Sequence, residues 1–277
     1  MRHRTSCPLR WADLDLLGHV NNVRYADYLR AGRDDLLGTA GIDVGPAGLP
    51  VRRHELTFVA PLMFGRQPVV VESSLAELGD TGATLQHVLL GPGPEPVVHL
   101  RARTEVAWRS GGLSTAQRAA LAPYVEPAAP HPAPEPVRVR ADMQSHYPLV
   151  VRAGDLDATG SASDVALVEF FQEARIGFFD RLRRAGLERG TLRWVVAQTD
   201  IDHLRPVAGR APAYDCYTRL ARLGRRSLTV ESVIQDQDGL DLAAARVVLV
   251  VFDPVANRSV DPPPGYREVL ETFVAPA

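Results

Sequence analysis

The stretch RWADLDLLGHVNNVRYADYLRAGRDDLL, beginning at Arg10, returns later in the chain as RAGDLDATGSASDVALVEFFQEARIGFF, beginning at Arg152. With Asp157 laid on Asp15, Arg10, Asp13, Leu14, Gly18, Val23 and Arg33 fall on Arg152, Asp155, Leu156, Gly160, Val165 and Arg175. After short gaps Pro61 and Gly65 match Pro206 and Gly209, Leu78-Gly79 matches Leu223-Gly224, and Ala102-Arg103 matches Ala245-Arg246. Each copy is therefore one structural unit, and two copies are too few for a solenoid, in which three or more repeats stack. The expected organisation is a pseudo-symmetric pair: a first unit over 1–125, a linker over 126–141, and a second, more degenerate unit over 142–277. The linker is read from PYVEPAAPHPAPEP at 123–136, which is too rich in proline for helix or sheet and suits an extended, semi-rigid spacer.

Both copies carry the same coarse order of elements. A short strand (about 3–10 and 144–152) leads into an acidic turn and a helix (about 22–37 and 164–184). Runs of β-branched residues punctuated by turns follow, near 51–60, 67–78, 83–90 and 96–109, and again near 192–204, 213–223, 227–236 and 240–253. One helix followed by a block of strands predicts an α+β fold with a largely antiparallel sheet. The second helix is apolar over more than one stripe, through Val165, Phe170, Phe171, Ile176, Phe178 and Phe179, and such a helix is expected to be buried by a curved sheet. Pairing the two units edge to edge would cover the sheet edges that one unit leaves open. A short amphipathic helix closes each unit, STAQRAALAPY with Ser114 as its cap and PPPGYREVLETF with prolines near its start.

The acidic turn is the chemically pointed part of the repeat. Asp15 precedes His19 by four residues and Asn22 by seven, Gly18 permits a backbone reversal, and Asn21 or Asn22 can cap the helix that starts near Val23. A carboxylate thus stands beside a helix N-terminus, whose free N–H groups suit an oxygen gaining negative charge. The carboxylate can act there as general base toward water or as nucleophile, so the pair suits attack on a carbonyl. The same acids also suit plain capping of turn and helix. In the second copy Asp157 is kept, but GHVNN becomes Gly160-Ser161-Ala162-Ser163-Asp164. Asp164 brings a negative charge where Asn22 has none, which disfavours an oxyanion at that helix start.

Composition narrows the classes. In 277 residues with 45% hydrophobic content there is ample material for packed cores, and the net charge of −2 gives no global field for nucleic acid or an acidic membrane. All the basic side chains are arginine, and the two cysteines, Cys7 and Cys216, lie far apart without Cys/His ligand spacing. Neither a disulfide framework nor a metal site is expected, and a reduced, cytoplasmic setting fits. Residues 1–12 hold no apolar core of signal-peptide length, and VVLVVF at 247–252 is too short to span a bilayer. There is no GxSxG elbow, Walker loop, dinucleotide fingerprint or HExxH, so no cofactor is expected. Arg52-Arg53 and Arg225-Arg226 are candidates for contacts to phosphates, and Tyr25, Tyr28, Phe170 and Phe171 belong to the core unless a cavity places them otherwise.

RWADLDLLGHVNNVRYADYLRAGR resembles the signature of the 4-hydroxybenzoyl-CoA thioesterase-like branch of the hot-dog superfamily, and RHELTFVAPLMFG at 53–65 resembles the strand after its central helix. The resemblance covers most of residues 3–110 and, more weakly, 144–253. It implies two tandem hot-dog units, each an antiparallel sheet wrapped around a central helix, paired as a pseudo-dimer with an acyl thioester at their interface. It implies an acyl-CoA thioesterase in which Asp15 is the catalytic carboxylate, donors around Asn22 face the oxyanion, and Asp13 braces the turn. His19 is a further candidate, more naturally a local hydrogen-bonder than a proton carrier, and Asp157 is the candidate in the second copy. Coenzyme A enters only as part of the substrate. An acyl-carrier-protein thioesterase and a non-catalytic acyl-CoA binding module are the alternatives, and a further association into a homodimer is implied by the family alone.

Overall fold

The computed structural model describes the chain except for residues 17, 110–111, 128–133, 188–191, 210–212, 254, 257 and 275–277. The middle of the expected linker, 128–133, thus lies outside the described residues. Two compact units are present, one made of residues 1–134 with 157–165 and the other of 135–156 with 166–277. Residues 157–165, from Asp157 of the second acidic turn to the start of its helix, group with the first unit, while residues 152–156 stay with the second.

The first unit runs β1 (His3–Cys7), α1 (Arg24–Thr39), β2 (Val51–Phe58), β3 (Val69–Leu78), β4 (Gly82–Leu90), β5 (Val98–Ala107) and α2 (Thr115–Leu121). Its strands lie in the order β1-β3-β4-β5-β2, every neighbouring pair antiparallel. The alternation of buried and half-exposed residues along β3 is the period-two signature of a sheet with one face on a core. That core is closed by α1, whose Tyr25, Tyr28 and Leu29 pack with Leu56, Val69, Val71, Leu89 and Leu100. The helix approaches so closely at Gly32 that a Cβ there would meet Val71 Cγ1 at 2.6 Å. Only glycine lets the helix backbone rest on the sheet at this point.

The second unit holds β6 (Ser145–Leu149), most of α3 (Asp164–Arg184), β7 (Arg193–His203), β8 (Tyr214–Leu223), β9 (Ser227–Gln235), β10 (Asp241–Asp253), β11 (Arg258–Ser259) and α4 (Pro264–Glu271). The order β7-β10-β9-β8-β6 reproduces the first sheet, with β11 added to β10. Register is reproduced as well: His3↔Ser73 through Cys7↔Val69 corresponds to Ser145↔Thr218 through Leu149↔Tyr214. Even the irregularity after Leu75 recurs after Leu220. Each unit is thus an antiparallel sheet with a long helix on it, the hot-dog arrangement.

The expectation for α3 needs one correction. Phe170, Phe171, Ala174, Phe178 and Leu182 are buried, but Ile176 is 48% exposed and Val165 and Phe179 are only half-buried. The sheet of its own unit covers a broad stripe, with Phe178 and Leu182 packed on Leu220, Leu228, Val230 and Leu249, and leaves the rest of the helix outside that cover. The closing helices form as expected: Ser114 Oγ accepts the Gln117 N–H at 3.2 Å at the start of α2, and prolines precede α4. Cys7 and Cys216 are free and buried, and burial pushes the Cys216 thiol up to about 12. Among the described residues no helix is long and apolar enough to cross a membrane.

Candidate active site

The backbone of the first acidic turn is closed by its own hydrogen bonds. Residues Trp11–Asp13 form one 3-10 turn, Asp13 N–H donates to Arg10 O at 3.0 Å, and Gly18 N–H donates to Asp15 O at 3.1 Å. Gly18 has φ +76°, the left-handed region that disfavours any side chain. Asp15 N–H donates to His19 O at 2.8 Å, Val20 N–H to Leu62 O at 2.8 Å, and Asn21 N–H to Asp13 O at 2.8 Å. The loop is thus tied both to its own beginning and to the strand-like segment at 62–63, where His19 bridges to Met63.

The side chains divide the roles. Asp13 is buried, and its Oδ2 accepts the Arg10 N–H at 2.8 Å and the Tyr28 hydroxyl at 2.7 Å, so it braces the turn. Burial and then this carboxylate raise the Tyr28 phenol well above its usual range, which keeps it a donor. Asp15 is only partly buried; its Oδ1 accepts the His19 N–H at 3.2 Å. Burial raises the Tyr25 phenol against a hydrogen bond to Leu62 that lowers it, with the Asp15 charge adding to the rise, and Tyr25 meets Phe58 edge to face, ring centroids 5.2 Å apart. Asn21, not Asn22, does the capping, since its Oδ1 accepts the Val23 N–H at 3.1 Å. The Asn22 backbone N–H and side-chain amide have no partner among the described residues, and neither has the His19 imidazole.

The second turn copies the backbone and changes the chemistry. Asp157 N–H donates to Ser161 O at 2.7 Å, Gly160 N–H to Asp157 O at 3.0 Å, and Gly160 has φ +79°. Asp157 Oδ1, however, accepts from Thr159 N–H at 2.7 Å, Thr159 Oγ1 at 2.6 Å and Ser161 N–H at 3.4 Å. The residue matching Thr159 in the first copy is Leu17, which has no hydroxyl to offer. Phe170 stands where the first copy has Tyr28, so Asp155 receives no phenol and is less buried than Asp13.

At the helix start of this second turn lies a cluster that the sequence did not disclose. Asp164 Oδ2 is 3.1 Å from Arg33 Nη1 and 3.7 Å from His54 Nε2, and Arg30 Nη1 is 3.8 Å from Oδ1. Arg33 is 2% exposed, and its Nε also meets Asp34 Oδ1 at 3.0 Å. Burial would raise the Asp164 carboxyl, but His54, Arg33 and Arg30 overcome it and hold the group far below the usual carboxylate range. Behind them His87, buried, meets Ser73 Oγ through Nδ1 at 2.9 Å; burial, Arg33 and His54 lower its ring to about 3, so it is neutral. The side chain of Asp164 therefore does turn inward, and its charge is spent on arginine. The one sequence hint was that Arg33 and Arg175 recur in both copies.

Other candidates find structural partners. Arg53 Nε pairs with Glu55 at 3.0 Å, while Arg225 and Arg226 both bind Asp261, so these three are engaged by carboxylates rather than presented to a phosphate. Tyr25, Tyr28, Phe170 and Phe171 are all core residues. Among the described residues no group of three or more His, Cys, Asp or Glu could hold a metal ion.

The model of one family, described as the thioesterase-like superfamily, matches residues 9–135 and again 151–270. The chain belongs to this superfamily. Both repeats are thus family members in their own right, and membership supports thioester hydrolysis as the chemistry. No curated protein matches the chain. Among solved structures, a Lactobacillus plantarum protein assigned as an oleoyl thioesterase superposes with a TM-score of 0.71 at 11% identity, over 90% of this chain and 96% of that one. The 12:0-ACP thioesterase of Umbellularia californica gives 0.70 at 13% identity, over 90% and 94%. An acyl-ACP thioesterase of Bacteroides thetaiotaomicron gives 0.62 at 9% identity, over 90% and 97%. At these identities the likeness is one of fold, and it extends over both units.

Proposed function

We propose that this thioesterase-like chain hydrolyses acyl-CoA thioesters to free acid and coenzyme A, using the first turn alone. The observation that carries this reading is the unclaimed Asn22 N–H at a helix start in the same turn as the half-exposed Asp15. Asp15 takes a proton from water as the oxygen attacks the thioester carbonyl. The carbonyl oxygen becomes the oxyanion and meets the Asn22 N–H, a donor worth about 2.7–4 kcal/mol to such a transition state. On collapse the C–S bond breaks and the proton held by Asp15 passes to the leaving thiolate. Direct attack by Asp15 to form a transient anhydride uses the same two groups. His19 lends the turn its backbone, and Asp157 is held by Thr159 and Ser161.

A carrier-protein thioester is the second reading, favoured by the whole-chain likeness to the Umbellularia californica enzyme. The test is thiol release from short, medium, long and aromatic acyl-CoAs and from the matching acyl-carrier proteins. Turnover of CoA thioesters supports the first reading, turnover of carrier-protein thioesters alone supports the second, and binding without turnover of either supports a binding module.

A further inference from the structure

The loops at one end of the first unit carry an apolar surface that its core does not use. β1, β2 and β4 end there and β3 and β5 begin there, since Cys7 pairs with Val69, Val70 with Leu90, Leu90 with Val98 and Phe58 with Leu100. The loops at that end are therefore 8–20, 59–68 and 91–97. Apart from Met1, every exposed large apolar side chain among the described residues of this unit lies in them: Trp11, Leu16, Val59, Met63, Phe64 and Val97. Two of the loops are joined, because Val20 N–H donates to Leu62 O and the Trp11 ring meets Phe64 edge to face at 5.4 Å. The second copy of the turn does without these side chains. Trp11, Leu16 and Met63 fall on Ala153, Ala158 and Ala208, all exposed, and Phe64 has no counterpart between Pro206 and Gly209. Equivalent backbone hydrogen bonds close that turn all the same.

We propose that this end of the first unit docks on the surface of a lipid bilayer, with Trp11, Leu16, Met63 and Phe64 entering the boundary between headgroups and acyl chains. A contiguous exposed apolar patch that the fold does not require marks a partner. Its shape points to the kind of partner. Trp11 is 75% exposed and Leu16 wholly so, so both project from their loops rather than line a groove. A projecting side chain needs a matching socket on a rigid partner but is taken from water anywhere in fluid hydrocarbon, and indole favours the bilayer interface. Charge agrees with this choice. Arg10, Arg66 and Arg101 are exposed at or near the same end and none forms an ion pair among the described residues, which leaves three guanidinium groups for anionic headgroups against the carboxylates of Glu95 and Asp15. The whole chain, at −2, adds no attraction of its own, so the contact is a local one. On the hydrolase reading, docking brings the Asp15 turn to thioesters whose acyl chains lie in the bilayer, but the docking itself does not rest on that reading.

The test mixes the full chain with phosphatidylcholine vesicles, with and without phosphatidylglycerol, and reads flotation and tryptophan fluorescence. Trp108 is buried and Trp194 half-buried, so a blue shift on adding vesicles reports Trp11. Wild type should float with both vesicles, more strongly with phosphatidylglycerol, and its emission should move to the blue. Trp11→Ala, Leu16→Ala and Met63→Ala, alanine being what the second copy carries, should each weaken partition about tenfold. Arg66→Gln should remove only the gain that phosphatidylglycerol brings, about fivefold. If Trp11→Ala does not fold, Leu16→Ala, which alters a wholly exposed side chain, decides with wild type. Wild type that floats with neither vesicle, or binding that the alanines leave unchanged, overturns the proposal. So does self-association in the ultracentrifuge, without vesicle binding, that the alanines abolish, since the patch then belongs to a second copy of the chain. Vesicle binding without hydrolysis of any thioester keeps the docking surface and removes the hydrolase reading.

Discussion

The two acidic turns are a comparison made within one chain: the same backbone, closed by equivalent hydrogen bonds around Gly18 and Gly160, sets its carboxylate beside different neighbours in each copy. Asp15 sits with an unclaimed N–H at Asn22, whereas Asp157 is gripped by Thr159 and Ser161, and the position of Asn22 is taken by Asp164, locked to Arg33. On the proposed reading, the duplicated fold preserves the turn twice for its geometry and uses its chemistry once. Three donors converge on Oδ1 of Asp157 and engage that oxygen within its own turn.

The largest way to break this comparison is at Asp164. Asp164→Ala leaves Arg33 buried with Asp34 as its remaining acid, and should cost about 3–5 kcal/mol in denaturant unfolding while leaving thiol release by the folded protein unchanged. The pH dependence has a definite sign. Because the Asp164 carboxyl is depressed, its contribution is fully present above about pH 4 and is withdrawn as pH falls toward the folded value, so wild type and Asp164→Asn should converge in strong acid. His87 acts in a different window: its ring resists protonation down to about 3, so stability should decline from about pH 6.5 toward 3 by at most about 1.4 kcal/mol per unit, and His87→Gln should flatten that decline.

Asn22→Asp makes the first turn resemble the second. With no arginine hydrogen-bonded to Asn22 among the described residues to neutralise it, the new charge should lower kcat about tenfold, an effect of roughly 1–2 kcal/mol on an oxyanion nearby, with little change in melting temperature. The smallest effect is expected at the brace. Tyr28→Phe removes the hydroxyl donated to Asp13, as Phe170 already does in the second copy, and should cost about 1 kcal/mol of stability and loosen the turn enough to raise KM modestly.

Much of this was legible in the sequence for identifiable reasons. The strands were readable because β-branched runs alternate with turns, and the repeat showed which strand of one copy answers which of the other, but not the order in which they pair. The turn was readable because glycine and capping residues act locally, while Asp13 as a brace came with the family resemblance. The Arg33–Asp164 pair was not readable, since its partners are 131 positions apart and meet only through folding. The exposed side of α3 was likewise missed, because an apolar pattern records what a helix offers, not how wide a sheet covers it.

The central claim, one working turn out of two, is tested most directly by measuring kcat for thiol release from the best thioester in Asp15→Asn and Asp157→Asn side by side. A loss of about 10²–10⁴-fold in the first and less than about twofold in the second is the predicted result. Comparable losses in both, or full activity in Asp15→Asn, would contradict it.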